Sequence, residues 1–265
     1  MSINVILAGP RGRMGSQAIN MLLENKDAFT LTACIDRKHD GVELKDIDGM
    51  PDLAVPVYED PEACFRENGA DVFIDLTVPD SGYRNTKAAI LHNIRPVVGT
   101  TGFTDDQIKD LTFLCEEKKL GAIIAPNFAI GAVLMMKFSK MAAAYFPDVD
   151  IIEKHHDQKL DAPSGTAVKT AELMKETRTS KKQGHVNEQE VLEGARGADV
   201  DGMKIHSVRM PGLVAHQEVI FGGKGQTLTI KHDSINRDSF MEGIKVSVKQ
   251  VMELEKLVYG LENIL

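Results

Sequence analysis

Residues 3–15 read INVILAGPRGRMG, and this stretch decides the fold of the first half of the chain. Ile3 to Ala8 is a short, nearly continuous apolar run, which predicts a strand buried on both faces. Helix-like apolar spacing follows from Met14 to Leu23. Between them the glycines fall at Gly9, Gly12 and Gly15. A strand, a glycine turn and a helix in direct succession bring backbone N–H groups to a helix N-terminus, where a pyrophosphate is favoured. The spacing is GxxGxxG rather than the commoner GxGxxG, but the physical requirement is the same. An ordinary strand–helix turn is the competing reading. The position directly behind a buried strand favours a dinucleotide. Gly9, Pro10, Gly12 and Met14 form the candidate turn, and Arg11 and Arg13 add cationic contacts.

The second strand, Leu31 to Asp36, ends in an acid roughly twenty residues after the last glycine, where the ribose hydroxyls of NAD are bound. Arg37 and Lys38 follow at once and suit the 2′-phosphate of NADP, so the sequence supports NADH and NADPH alike. Residues 37–53 are polar and punctuated by Gly and Pro, and read as a loop. Val72 to Leu76, Pro96 to Val98 and Ala122 to Ala125 are further short strands. They alternate with helices from Pro79 to His92 and from Thr104 to Lys118, the latter with a capping start. The alternation predicts a Rossmann-type α/β domain with a parallel sheet covered on both faces. Gly99, Thr100 and Thr101, and then Ala125, Pro126, Asn127 and Phe128, follow strand ends. Ligands of open α/β sheets sit there, so both segments are candidates for the nicotinamide end.

Beyond Phe128 the pattern changes. Gly131 to Tyr145 is a helix rich in Met, Ala and Phe. Strands are predicted at Asp150 to Glu153, Lys204 to Met210, Ala215 to Phe221 and Thr227 to Lys231. Leu228 and Ile230 alternate with polar neighbours, the sign of one wet face. Residues 222–225, GGKG, supply a hairpin turn. Residues 177–201 have no periodicity and read as a lid or interface arm. Arg237 to Leu261 reads as an amphipathic helix that returns to the first domain. The expected organisation is a dinucleotide-binding domain, residues 1–127 with 236–265, and a second α+β domain, residues 128–235, built on a mixed, mostly open sheet.

The second domain contains residues 153–167, EKHHDQKLDAPSGTA. His155, His156 and Asp157 invite a metal reading. Consecutive strand residues point to opposite faces, however, and neither an HExxH nor a Cys partner exists, so no metal is expected. A structural role for the histidines is a second reading. The third is a site for an anionic substrate beside an acid. Pro163 fixes φ, Ser164 can cap a helix, and Gly165 and Thr166 offer first-turn backbone N–H groups, which together make a carboxylate cradle. Lys159 adds a point charge with three donors. Histidine titrates near neutrality and can deliver a proton. A C=C or C=N bond that accepts a hydride needs a proton afterwards, so an acid near a nicotinamide is chemically coherent.

The bulk properties set limits. With 265 residues, 43% of them apolar, the chain can bury a sizeable core. A net charge of −8 argues against broad nucleic-acid binding. Three scattered cysteines without a CxxC fit a reducing compartment, and a cytoplasmic location is expected. No apolar run approaches the ~20 residues that span a membrane.

The HH-to-SGTA block, with GPRGRMG, GTTG, APNF, Arg209-Met210-Pro211-Gly212…His216 and the LTIKH of residues 228–232, closely resembles the 4-hydroxy-tetrahydrodipicolinate reductase (dihydrodipicolinate reductase) family. The resemblance spans essentially the whole chain, and the HH-to-SGTA block carries its specificity. It implies reduction of a small cyclic dicarboxylate by NADH or NADPH with loss of water, in the diaminopimelate route to lysine. It implies His155 as proton donor and acceptor, Lys159 as a second proton donor, and His156, Gly165 and Thr166 as substrate-carboxylate contacts. Gly9 to Met14, Asp36, Arg37, Gly99 to Thr101 and Ala125 to Phe128 become the cofactor shell. A homotetramer joined through the mixed sheet is also implied. Two places depart from the family pattern. Asp157-Gln158 stand where many relatives have Arg-His, and Pro10-Arg11 follow the first glycine where many have small residues.

Overall fold

A computed structural model describes residues 2–265. The chain divides into two compact units, one ending at Phe128 and resuming at Arg237, the other running Ala129–Asn236. In chain order the first unit begins β1 (Ile3–Ala8), α1 (Arg13–Glu24), β2 (Phe29–Ile35), β3 (Val42–Glu43), β4 (Pro56–Tyr58) and α2 (Pro61–Glu67). It continues β5 (Val72–Asp75), α3 (Pro79–Leu91), β6 (Arg95–Val98), α4 (Asp105–Lys118) and β7 (Ala122–Ile124). The second unit contains α5 (Ile130–Ala143), β8 (Asp148–His155), α6 (Gly165–Lys175), β9 (Ala198–Val200), β10 (Met203–Arg209), β11 (Ala215–Gly223) and β12 (Gln226–Ser234). The chain closes with α7 (Met241–Gln250) and β13 (Leu257–Tyr259) in the first unit.

The first unit is a Rossmann-type eight-stranded sheet in the order β13-β7-β6-β5-β1-β2-β4-β3, parallel everywhere except between β3 and β4. Val5, Ile6, Leu7 and Ala8 are fully buried, because successive side chains of a parallel strand meet helices on both faces. One of these faces packs Ile6, Ala8 and Phe73 with Phe65 of α2 and Ala88 and Ala89 of α3. Phe65 and Phe73 meet edge to face at 5.1 Å between ring centres, a preferred aromatic geometry. Further along, Val98, Ala122 and Ile124 pack with Ile90, Leu111 and Cys115. Burial pushes the thiols of Cys34, Cys64 and Cys115 up to about 12, which leaves them unreactive small hydrophobes.

Three regions correct the sequence reading. The stretch expected as a loop holds β3 and a short 3-10 turn at Leu44–Asp46. β4 and α2 were not expected at all, since three and seven residues are too short to show a period. The amphipathic segment after Arg237 is not one helix. Its α-helix ends at Gln250 and passes into a 3-10 turn at Val251–Glu253, and Leu257–Tyr259 adds a parallel strand beside β7. Tertiary contact decides this. A Cβ on Gly121 would lie 2.3 Å from the Val251 carbonyl oxygen, so the chain passes close against the start of β7.

The second unit is a five-stranded mixed sheet in the order β12-β11-β8-β10-β9. β8 and β10 run parallel and the other neighbours antiparallel. β8 reaches His155, two residues beyond the expected Glu153, and β9 lies inside the stretch that carried no period. On the covered face Val149 and Ile151 of β8, Met203 and Ile205 of β10, and Val219 and Phe221 of β11 are buried, with α5 against β11 and β12 and α6 against α5. Among the described residues no helix is long and apolar enough to cross a membrane.

Candidate active site

The order of the first sheet reverses at β1, which has β2 on one side and β5 on the other. Such a reversal opens a crevice at the carboxyl ends of the strands, and the glycine turn lies there. Gly9 has φ +82°, a conformation that side chains rarely adopt, and a Cβ on it would sit 2.8 Å from the Leu76 carbonyl oxygen. A Cβ on Gly15 would lie 1.9 Å from the Gly9 carbonyl oxygen. The turn is therefore folded tightly on itself, and the Gly12 N–H donates to the Gly9 oxygen at 3.0 Å.

Next to it is a cavity of about 240 Å³, lined by Gly9, Arg11, Gly12, Asp36 and Arg37, with Thr77, Ser81 and Arg84 on the opposite wall. Arg11 does not project alone. Its guanidinium grips Asp36 through two bonds, Nε to Oδ2 at 2.8 Å and a terminal nitrogen to Oδ1 at 3.0 Å. The Lys38 N–H donates to the same carboxylate, and His39 Nδ1 lies 3.1 Å from it. Burial alone would raise the Asp36 pKa, but Arg11, the Lys38 amide and His39 outweigh it and hold the carboxyl below its ordinary value. A second cavity of about 270 Å³ is lined by Met14, Gly99, Thr100, Ala125, Pro126, Asn127 and Phe128, together with Leu76, Thr77 and Phe240. Pro10, Arg13 and Thr101 line neither cavity.

Sequence reading missed the residue that ties these loops together. Asp75 ends β5 and is fully buried. It accepts the Thr100 hydroxyl at 2.6 Å, the Thr77 hydroxyl at 2.7 Å and the Asn85 amide at 3.1 Å. The loops after β5 and β6 thus hang on one carboxylate. An acid ending an otherwise apolar strand was the available signal. The glycine turn, the two cavities and the cationic residues Arg11, Arg37 and Arg84 fit a dinucleotide. The glycines leave room for a pyrophosphate to approach the backbone, and the arginines complement its charge.

The second constellation lies in the other unit. His155 ends β8, and His156, already off the strand, is exposed. Lys159 Nζ donates to Asp161 Oδ1 at 2.7 Å, which lowers the Asp161 pKa. Ser164 caps α6 by accepting the Ala167 N–H, so Gly165 and Thr166 form the first turn behind that cap. A Cβ on Gly165 would meet nothing within 4 Å. Asp157 and Gln158 are exposed and bonded to each other.

Glu153 carried no role in the sequence reading, yet it is the best-connected residue of the segment. It is fully buried. Its Oε1 accepts from Arg209 at 2.7 Å and from the Ser164 N–H at 3.1 Å. Its Oε2 lies 2.8 Å from the other terminal nitrogen of Arg209 and 2.6 Å from His155 Nδ1. Burial pushes the Glu153 carboxyl up, but Arg209, Ser207 and His155 together outweigh it, and the net shift is downward. For His155 burial lowers proton affinity most. Glu153 raises it, Lys159 and Arg209 lower it, and the net is below the ordinary histidine value.

Comparison with known proteins gives the family. The family description "Dihydrodipicolinate reductase, N-terminus" matches residues 3–128, and "Dihydrodipicolinate reductase, C-terminus" matches residues 131–265. The 4-hydroxy-tetrahydrodipicolinate reductase of Oceanobacillus iheyensis is 65% identical over 266 residues, covering 100% of both chains. That of Geobacillus kaustophilus is 63% identical, again over 100% of both. The solved dipicolinate-bound dihydrodipicolinate reductase from Paenisporosarcina sp. TG-14 superposes with a TM-score of 0.92 at 56% identity, with 100% coverage of each chain. With both halves matched by the family and relatives this similar end to end, the chain belongs to the dihydrodipicolinate reductase family.

Proposed function

We propose that His155 and Lys159 carry the proton half of the reaction, and that His156 with the backbone of Gly165 and Thr166 holds a substrate carboxylate. The reaction is the reduction of 4-hydroxy-tetrahydrodipicolinate to tetrahydrodipicolinate by NADH or NADPH, with loss of water, in the diaminopimelate route to lysine. The nicotinamide supplies a hydride when bound. The protein must then supply one proton to the reduced substrate. The hydroxyl leaves as water with a second proton that is balanced by one given up from the ring carbon beside it, so the net uptake is one hydride and one proton.

The observation that carries the assignment is local. His155, Lys159 and a side-chain-capped helix N-terminus fall within one short connection between β8 and α6. Protonated His155 gives up a proton and becomes neutral imidazole, and Lys159 serves as the second donor. The positive end of α6 and the Lys159 ammonium favour a dianionic ligand. Dipicolinate, the ligand named for the Paenisporosarcina relative, is a small cyclic dicarboxylate of this kind.

The first unit is assigned as the dinucleotide-binding domain. Gly9, Pro10, Gly12, Arg13 and Met14 form its phosphate turn, Asp36 and Arg37 the ribose end, and Gly99, Thr100, Thr101 and Ala125–Phe128 the nicotinamide end. Arg11 orders Asp36, and Arg84 adds a third arginine to the cavity. The second unit is assigned to substrate binding and to assembly as a homotetramer. Phe138 and Met141 of α5 and Tyr145 just beyond its end are 50%, 67% and 84% exposed in the single chain, and Leu228 of β12 is 38% exposed, a run of apolar surface suited to subunit contact. A cytoplasmic location fits the three unpaired cysteines. The test is coupled oxidation of NADH or NADPH with the cyclic dicarboxylate supplied by the preceding enzyme. Stoichiometric oxidation is expected, and no oxidation with either cofactor overturns the reading. Light scattering on the purified enzyme tests the tetramer, and a monomer would exclude it.

A further inference from the structure

We propose that Glu153 is a positioning residue that locks His155 into one tautomer and holds its transferable proton on Nε2, with Arg209 keeping Glu153 ionised. The proposal rests on the reading of His155 as a proton donor and gives it a mechanism.

The argument begins with strand geometry. Side chains two apart on a strand share a face. Val149, Ile151 and Glu153 of β8 are all buried on the covered face. Glu153 therefore occupies a position that the strand pattern reserves for a hydrophobe, and His155 is the next residue on the same side. A buried carboxylate is costly unless it is paired and fully hydrogen-bonded, and here both oxygens are satisfied. The β10 register supplies the partners. Ser207 lies beside Glu153, and Arg209 lies beside His155 and reaches diagonally to Glu153. Arg209 also donates to the Asp161 carbonyl at 2.8 Å, so the same guanidinium steadies the turn that carries Lys159.

An ionised carboxylate only accepts hydrogen bonds. The 2.6 Å contact between Glu153 Oε2 and His155 Nδ1 therefore places a hydrogen on Nδ1. The proton that comes and goes is then on Nε2, the ring atom facing away from Glu153. In the charged form the imidazolium is stabilised by Glu153. When Nε2 gives its proton to the substrate, the ring returns to the neutral Nδ1–H tautomer with Nδ1 unchanged. A purely structural role would be complete with the Arg209 pair and the Ser164 amide, and would not need Oε2 shared with the imidazole.

The charged groups facing His155 are Glu153 on β8, Lys159 in the turn and Arg209 on β10. From β11 its register partner is the uncharged Ala215. Removing the Glu153 charge leaves two cations against the ring, so His155 holds its proton less well. Protonated His155 is the active form, and activity falls as pH rises through its pKa. Without Glu153 that fall comes at lower pH.

The experiment is Glu153→Gln, with kcat and KM measured across pH, and nitrogen NMR of the His155 imidazole in the native enzyme. Gln keeps an oxygen for the Ser164 N–H, so KM for the dicarboxylate should change by less than about threefold. At neutral pH kcat should drop by about tenfold or more, as for a misplaced general acid. The alkaline limb should move to lower pH. In a His155→Ala background Glu153→Gln should cause no further loss, because the two act as one unit. The native imidazole should be the Nδ1–H tautomer. An unmoved alkaline limb, additive losses in the double variant, or a native Nε2–H tautomer would each overturn the proposal. The tautomer measurement needs no variant, so it decides even where Glu153→Gln does not fold. Near-normal turnover in His155→Ala alone would instead sink the proton-donor reading.

Discussion

Gly15 sits where a Cβ would lie 1.9 Å from the Gly9 carbonyl oxygen, whereas the same atom added at Gly165 would meet nothing within 4 Å. Both residues lie in the first turn of a helix at a proposed anion site, α1 in one unit and α6 in the other. At α1 the turn itself is bare backbone: it closes on itself and leaves no room for a side chain at Gly9 or Gly15. At α6 the backbone is roomy, and placement comes from side chains, the Ser164 cap and Glu153, which is held in turn by Arg209 from β10. Steric exclusion governs the first site and charged hydrogen bonding the second, so substitutions should fail in different ways at each.

The largest effect is expected on the side-chain half. His155→Ala and Lys159→Ala should each lower kcat by about 10²- to 10⁴-fold, the usual range for a lost general acid. Cofactor affinity, measured by NAD(P)H fluorescence titration, should survive. A joint loss of turnover and cofactor binding would erase the contrast. Gly15→Ala should show the reverse order of events. The turn must open to admit a methyl group, at a cost of about 3 kcal/mol. Thermal denaturation should show the loss, and NADH and NADPH affinity should fall together.

Arg37→Ala with Lys38→Ala sharpens the cofactor side. NADPH affinity should weaken about tenfold more than NADH affinity, a step of roughly 1.4 kcal/mol. Equal weakening would contradict the 2′-phosphate reading. Gly165→Ala is the direct counterpart of Gly15→Ala. Stability should hold or rise by about 0.5 kcal/mol, as Ala gains over Gly in a helix, while KM for the dicarboxylate rises because the methyl group crowds its carboxylate. Lost stability there would break the comparison.

The smallest effect is on acid stability. Glu153 has a lowered folded pKa, so its contribution is fully present above the unfolded glutamate value, about 4.3. It is lost as pH falls through the folded value. The thermal midpoint of the wild type should drop across that window, and Glu153→Gln should flatten the drop. An equally steep drop in the variant would place the acid sensitivity elsewhere, with Asp36 the next carboxylate to test.

The parallel sheet was legible because its strands are short apolar runs and its turn has no acceptable side chain at Gly9 or Gly15. The capping start at Thr104 was legible for a similar reason: a Thr hydroxyl bonds the Gln107 N–H and the Gln107 side chain returns the bond. β4 and α2 were too short to show a period, and the final segment looked helical until β7 offered it an edge. In the proposed active site His155, Lys159 and the Ser164 cap could be named from their chemistry. Glu153 could not, although it stood in the quoted segment, because its value depends on a guanidinium 56 residues away.

Sequence alone determined the family, the glycine turn and the candidates proposed as proton carriers, since these rest on residue type and on spacing along one stretch of chain. Tertiary structure decided which groups hold them. Strand register brings Arg209 to Glu153, and the pairing of β5 with β1 and β6 sets Asp75 beneath two loops. A buried charge is tolerated only where distant partners converge on it, and that convergence is a property of the fold.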